Sequence, residues 1–404
     1  DQRSQAAWAK KVNVPVFMAG AFEDEQTGPQ WPAIIPDLSH DRTVFVTLQN
    51  GTHVTSLGPG VISRWLEFLD IYVAHKVPAS PAILSYGSTL YSSIADGAPS
   101  GKIPAIRFTN TKTAAAAEAS FREDTPRVRV LFDNGGGSAG PGALQPVWTA
   151  SFDSWPPPTE QTVTFGLESK GRLVSGGSGS GEGGGSVSFR PNPTARPATD
   201  LSKGSAWAAL PAYDWAPVTG SEGIGFVTAP LKSTTVVVGP GSLNLELKSS
   251  APDTDLQATV TEVYPTGKEM YVEGGFLRAS DRALTRKAST AIDPVPTYLA
   301  ATARPLPKGK FTLVRIPIDP MGHAFRKGDR IRVVISAPGG SRPAWAFGST
   351  YKTGGKVVDT VKLGGVSTLA LPTIPSLHPP DPRPACPSLR GEPCRSYVPA
   401  GNGG

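Results

Sequence analysis

Seven short segments with period-two alternation most constrain this chain. They are RVRVLFD (127–133), GFVTAPL (225–231), STTVVVG (233–239), SLNLELK (242–248), LQATVTEV (256–263), FTLVRIPI (311–318) and RIRVVIS (330–336). Alternation places apolar side chains on one face of a strand and polar ones on the other. Many such strands, separated by Gly, Pro and Asp, predict an antiparallel sandwich. Helical spacing is nearly absent over the same span, so residues 126–372 are expected to form one all-β unit.

The first third reads differently. VPVFMAG (14–20) and VFVTLQ (44–49) are apolar runs closed by polar turns, which suits buried strands. The first turn carries Asp24, flanked by Glu23 and Glu25, either of which could serve as the acid instead. The second turn carries His53. VISRWLEFLDIYVAH (61–75) follows with a wide apolar face and is expected to be an amphipathic helix, with Ser63, Arg64, Glu67 and Asp70 on its polar side. Gly58-Pro59 fits its start. Shorter helices are expected within residues 1–10 and 112–120, and one helical turn within 25–40. The order strand, Asp, strand, His, helix is how an α/β-hydrolase presents two members of a catalytic triad. There the acid orients the imidazole, which serves as base.

A nucleophile is not found. Gly136-Gly137-Ser138-Ala139-Gly140 fits G-x-S-x-G, but the elbow requires a helix after the serine, and PGALQP follows instead. The order on that fold is Ser, acid, His, whereas Ser138 comes last. A Gly-rich turn is the expected role. Asp253-Thr254-Asp255 could offer oxygens to Ca²⁺, yet a polar turn before a strand is expected, and no metal or other cofactor is called for. His323 has no acid or nucleophile near it in sequence and is expected to be structural. The aromatics of SWPPP (154–158) and YDW (213–215) could stack on sugars, but packing is the commoner use.

Composition narrows the classes. Gly (45) and Pro (41) make about a fifth of the 404 residues, below the roughly 25–30% of low-complexity chains. A loop-rich globular protein is expected, with one flexible stretch at SGGSGSGEGGGS (175–186) and an extended Pro/Gly-rich tail over 373–404. The net charge of +6 is small for this length and scattered, which argues against a nucleic-acid partner. No apolar run approaches the ~20 residues of a membrane span. The two cysteines, Cys386 and Cys394, are close enough in sequence to form a local disulfide, which would point to a secreted or cell-envelope setting. The first residue is Asp1, with no initiator Met, so a mature chain, a subunit of a cleaved precursor and a truncated fragment are all open.

These residues resemble the C-terminal part of the CocE/NonD serine hydrolases, relatives of the X-Pro dipeptidyl-peptidases. VPVFMAGAFEDEQTG resembles that family's acid turn and NGTHVTSLGP its histidine loop. SWPPP, the TAPL strand, SSAPDTDLQATVTEVYPTG, GGFLRASDR and FRKGDRIRVVIS resemble its second domain. The resemblance implies an α/β plus all-β chain: the C-terminal piece of an α/β-hydrolase domain (1–77), a connecting segment (78–125), a jelly-roll, galactose-binding-like β-sandwich (126–372) and the tail (373–404). It places the catalytic acid on Asp24 and the base on His53. It implies acyl esters, amides or dipeptidyl compounds as substrates, through an acyl-enzyme. Three departures stand out. Phe22 occupies a position that is Trp in many members. The histidine loop reads Gln49-Asn50-Gly51-Thr52-His53 rather than the common Gly-Pro-Trp-x-His. The G-x-S-Y-x-G nucleophile and the oxyanion-hole residues are absent from this sequence, so an N-terminal hydrolase segment or subunit is an expected partner. The alternative is a non-catalytic β-sandwich that binds or assembles.

Overall fold

The computed structural model describes residues 6–38, 43–99, 101–158, 161–176, 184–193, 205, 207–210, 215–339 and 356–400. Most of the stretch expected to be flexible (175–186), Tyr213 and Asp214 of YDW, and the final GNGG lie outside the described residues. The chain divides into two compact units. One comprises residues 1–159, 203–212 and 379–393; the other comprises 160–202, 213–378 and 394–404.

The first unit is built on a four-stranded sheet in the order β1 (Val16–Ala21), β2 (Val44–Gln49), β3 (Val128–Phe132), β4 (Trp148–Phe152). β1 and β2 run parallel, from Val16 opposite Val44 to Ala21 opposite Gln49. β3 runs parallel to β2, and β4 returns antiparallel to β3. This corrects the expectation that RVRVLFD opens the sandwich. Its side chains are buried at Val128, Val130, Leu131 and Phe132, and a short strand covered on both faces suits a parallel sheet as well as a sandwich.

Among the described residues this unit has five α-helices: α1 (Ala6–Ala9), α2 (Ile35–Leu38), α3 (Pro59–Phe68), α4 (Gly87–Ile94) and α5 (Ala114–Asp124). Pro59 starts α3, where a missing N–H costs nothing, and one π-helical turn, Leu69–Val73, extends it. Phe68 and Ile71 pack with Phe45 from β2 and Phe121 from α5. The Phe45 and Phe121 rings meet edge to face at 4.9 Å. The side of α3 expected to be polar is also covered: Ser63 and Glu67 are buried. The Glu67 carboxylate accepts from Arg64 at 2.9 Å and from Arg107 Nη2 at 2.8 Å, which is how a buried charge is kept satisfied. α4 lies in the span expected to be mostly loop.

The second unit is almost all β. Its strands are β5 (Gln161–Glu168), β6 (Arg172–Ser175), β7 (Ser186–Phe189), β8 (Gly223–Val227), β9 (Thr235–Ser249), β10 (Asp255–Val263), β11 (Lys268–Arg278), β12 (Thr312–Phe325), β13 (Arg330–Ser336), β14 (Asp359–Lys362), β15 (Thr368–Thr373) and β16 (Cys394–Ser396). Described pairings are antiparallel except β6 with β8. Residues from β5 through β15 share one apolar core, including Phe165, Phe226, Leu245, Val260, Ile316 and Val333. The layers come close at Gly275, where a Cβ would lie 1.9 Å from the Pro317 carbonyl oxygen. The two segments expected at 233–239 and 242–248 are one continuous strand, β9. Gly239-Pro240-Gly241 does not break it, because its partner β12 shifts register between Ile318 and Met321 and absorbs the irregularity as a bulge.

The tail also departs from expectation. Ser388, Leu389, Arg390 and Glu392 are buried, and β16 pairs with the start of β11. Cys386 and Cys394 are both disulfide-bonded. Among the described residues no helix is long and apolar enough to cross a membrane.

Candidate active site

The C-terminal ends of β1 and β2 are neighbours because the strands pair in register, so the turns after them meet. Parallel α/β sheets gather their functional side chains at this edge. The turn after β1 is Phe22-Glu23-Asp24-Glu25, and all four side chains are buried. Each acid holds a different atom of the turn after β2. Glu23 Oε2 accepts from the Gly51 amide. Glu25 Oε2 accepts from the His53 amide at 2.9 Å. Asp24 Oδ2 lies 2.8 Å from His53 Nδ1. Geometry thus distinguishes the three acids: only Asp24 among them has a described bond to the ring, while Glu23 and Glu25 secure the backbone that carries it.

The other Asp24 oxygen, Oδ1, accepts from the amides of Gln26 and Thr27, both at 2.8 Å. Burial alone would push this carboxyl up. The Thr27 amide, the His53 ring and the Gln26 amide outweigh burial and bring it below the ordinary aspartate value. An ionised carboxylate only accepts, so the shared proton resides on Nδ1, and in the neutral imidazole Nε2 carries the lone pair. The Asp24 side chain is 3% exposed and that of His53 40%. The arrangement is a half-exposed imidazole on a buried carboxylate, able in its neutral form to take a proton at Nε2.

A further set of residues braces the histidine loop. β2 and β3 both run into Asn-Gly, at Asn50-Gly51 and Asn134-Gly135. Asn50 Oδ1 accepts from the Asn134 amide at 2.9 Å, and Asn134 Nδ2 donates to the Asn50 carbonyl at 3.0 Å. Asn50 Nδ2 also donates to the carbonyl of Arg390 at 3.2 Å. Arg390, 1% exposed, donates to Thr55 Oγ1, to the Gly142 and Ala208 carbonyls and to the Trp207 carbonyl, at 3.4, 3.0, 3.4 and 3.2 Å. Trp207 Nε1 in turn donates to Glu25 Oε1 at 2.9 Å. Gly391 follows with φ +74°, and a Cβ there would meet Glu23 Cβ at 2.8 Å. Sequence reasoning missed Arg390 because it lies in a Pro-rich tail without periodicity. The paired Asn-Gly steps after two apolar runs were the legible signal.

Comparison with known proteins identifies the family and the fold. The sequence model described as the X-Pro dipeptidyl-peptidase C-terminal non-catalytic domain matches residues 119–355. The chain belongs to that family. Candidate serine esterases of Mycobacterium bovis and Mycobacterium tuberculosis are each 28% identical over 113 residues, which is 28% of this chain and 18% of theirs. Among solved structures, a CocE/NonD family hydrolase from Staphylococcus aureus superposes with a TM-score of 0.59 at 15% identity, over 90% of this chain and 55% of that one. An α-amino acid ester hydrolase gives 0.53 at 13%, over 91% and 57%. These likenesses establish the fold. The chain spans little more than half the length of the solved neighbours. Asp24 and His53 both lie before the matched C-terminal domain.

The remaining candidates fall within the span that the C-terminal domain model matches. Ser138 is exposed on the turn after β3, no helix follows it, and it has no described bond to His53. Asp253 Oδ1 accepts from the Thr254 and Ser280 amides at 2.9 and 2.8 Å, and Asp255 pairs with Arg278 at 2.8 Å. Asp253 thus closes a turn, and Asp255 makes a cross-strand ion pair between β10 and β11. Among the described residues no group of three or more His, Cys, Asp or Glu could hold a metal ion. His323 has an acid after all: its Nε2 lies 3.0 Å from Glu262 Oε2, with both side chains 2% exposed. The partner sits on another strand, out of reach of a local reading. Trp155 is buried beside Phe22, their ring centroids 6.3 Å apart, and Trp215 is buried with the Arg395 guanidinium 3.7 Å from its centroid. Neither is placed to stack on a sugar.

Proposed function

We propose that this chain supplies the acid–base half of a serine hydrolase and the jelly-roll sandwich that accompanies it, with Asp24 orienting His53 as general base. The observation that carries this reading is the 2.8 Å contact of Asp24 Oδ2 with His53 Nδ1 at the ends of adjacent parallel strands. The nucleophile and oxyanion donors come from residues outside this sequence. A serine there gives its proton to His53 Nε2 and attacks the carbonyl carbon of an acyl ester, amide or dipeptidyl substrate. The imidazolium then protonates the leaving group, and water, deprotonated by the same nitrogen, releases the acyl group. The disulfide supports placing the protein in an oxidising compartment, secreted or at the cell envelope.

The test expresses the chain alone and joined to the coding sequence preceding Asp1. Hydrolysis of p-nitrophenyl butyrate that requires both an upstream in-frame G-x-S-Y-x-G and an intact His53 is the expected result. Hydrolysis by the chain alone, lost in His53→Ala and accompanied by fluorophosphonate labelling of Ser138, would place the nucleophile within the chain instead. The family's description as a non-catalytic domain favours a second reading, a binding or assembly module. That reading gains if no serine motif precedes Asp1 and no hydrolysis is found.

A further inference from the structure

We propose that Arg390 is a positioning residue for His53, a buried guanidinium that locks the loop carrying the base against the turns beside it. Three segments arrive at the C-terminal edge of the parallel sheet from separate parts of the sequence: the histidine loop after β2, the Gly-rich turn after β3, and residues 207–208. The first holds a single 3₁₀ turn, His53–Leu57, and the other two have no helix or strand of their own, so none is anchored by a long regular element. Arg390 reaches all three, through Thr55 Oγ1, the Gly142 carbonyl, and the Trp207 and Ala208 carbonyls. Its own backbone joins them as well, donating to the Asn134 carbonyl at 2.9 Å and accepting from Asn50.

The planar fork suits this task. Five donors held in fixed directions can serve four acceptors on three segments at once, one more than the three protons of a lysine ammonium. The path to the base is short. Thr55 is two residues beyond His53, and Trp207, held by its carbonyl, fixes Glu25, which holds the His53 amide. Without the guanidinium, four oxygens lose a donor, those of Thr55 and Gly142 among buried residues, and the cheapest relief is for the loop to open toward water. His53 Nδ1 then leaves Asp24 Oδ2. Arg390 acts through the loop and has no described contact with the imidazole, so it is not a catalytic residue.

The proposal rests on reading His53 as a base, but its test reads ring geometry, not turnover, and so can fail separately. In the isotopically labelled chain, the hydrogen-bonded His53 Nδ1–H gives a low-field proton resonance. Arg390→Met should raise the open-to-closed ratio of the loop by about fivefold, the change in equilibrium constant expected from losing one or two net hydrogen bonds, and the resonance, which exchanges with water in the open state, should weaken accordingly. Asp24 should then titrate closer to the ordinary aspartate value. Phe121→Leu, in α5 among the aromatics, serves as a control for general loosening and should leave the resonance in place. If Arg390→Met does not fold, Thr55→Val decides the matter from the loop's side, with a loss of about twofold expected. Wild-type intensity in the folded Arg390→Met chain, or in Thr55→Val where that variant decides, would overturn the proposal. An equal loss in Phe121→Leu would do so too.

Discussion

Asp24 in the first unit and Asp359 in the second are both buried, at 2% and 0% exposure, yet their carboxyls move in opposite directions. Asp24 lies in the turn after a parallel strand and faces two amides and an imidazole, and it lies below the ordinary aspartate value. Asp359 starts β14 inside the β unit. Burial pushes it up to about 6, against the Ser249 and Thr254 hydroxyls, which hold it down. The Thr254 hydroxyl donates at 2.7 Å. Hydroxyls soften the burial penalty; amides aimed at the carboxylate and a ring that can carry charge reverse it. Burial alone therefore does not mark a functional acid. The donors around it do.

Glu67 extends the comparison to a buried acid with two cationic partners, and there the largest effect is expected. Glu67→Leu leaves Arg64 and Arg107 facing each other, and both already depress Arg129, which burial and these neighbours bring down to about 10. A loss of about 3–5 kcal/mol is expected in urea unfolding of the first unit. An unchanged midpoint would show that solvent already screens this cluster.

Asp359→Asn should act in the opposite sense. A carboxyl raised from 3.8 to about 6 in the folded state stabilises the fold fully below pH 3.8 and loses that contribution as pH rises through about 6. At pH 7 the charged form costs up to about 3 kcal/mol. The amide variant should therefore be more stable than wild type at pH 7 and indistinguishable from it near pH 3.5. A stability gain that persists in acid would point to packing rather than ionisation.

The smallest change belongs to Asp24→Asn. A lowered carboxyl contributes above its unfolded value and loses that contribution as pH falls through the folded one. The variant should cost about 1 kcal/mol at pH 7 and nothing near pH 2, with its acid-unfolding curve flatter than that of wild type. An equal cost at both pH values would mean that the Asp24 charge adds nothing to the Asx turn with Gln26 and Thr27.

What the sequence by itself determined was local: the existence of most strands, the buried runs ending at Asp24 and His53, Pro59 opening α3, and the proximity of Cys386 to Cys394. Period, caps and turn residues are written within about ten positions of one another. What only the tertiary structure decided were partnerships. VRVLF could complete either sheet, and pairing with β2 settled it, because an apolar run looks alike wherever both its faces are covered. Glu23, Asp24 and Glu25 are equivalent as letters; the in-register strands bring Asp24 Oδ2 to the ring and leave its neighbours on backbone amides. Glu67 falls on the polar side of its helix by spacing and is buried nonetheless, because a segment some forty residues later covers that side with Arg107. Arg390 meets Asn50 across 340 positions, and no local pattern encodes a contact at that range. Such contacts are set by which surfaces remain to be covered after the sheets have formed, and that is a property of the packed chain.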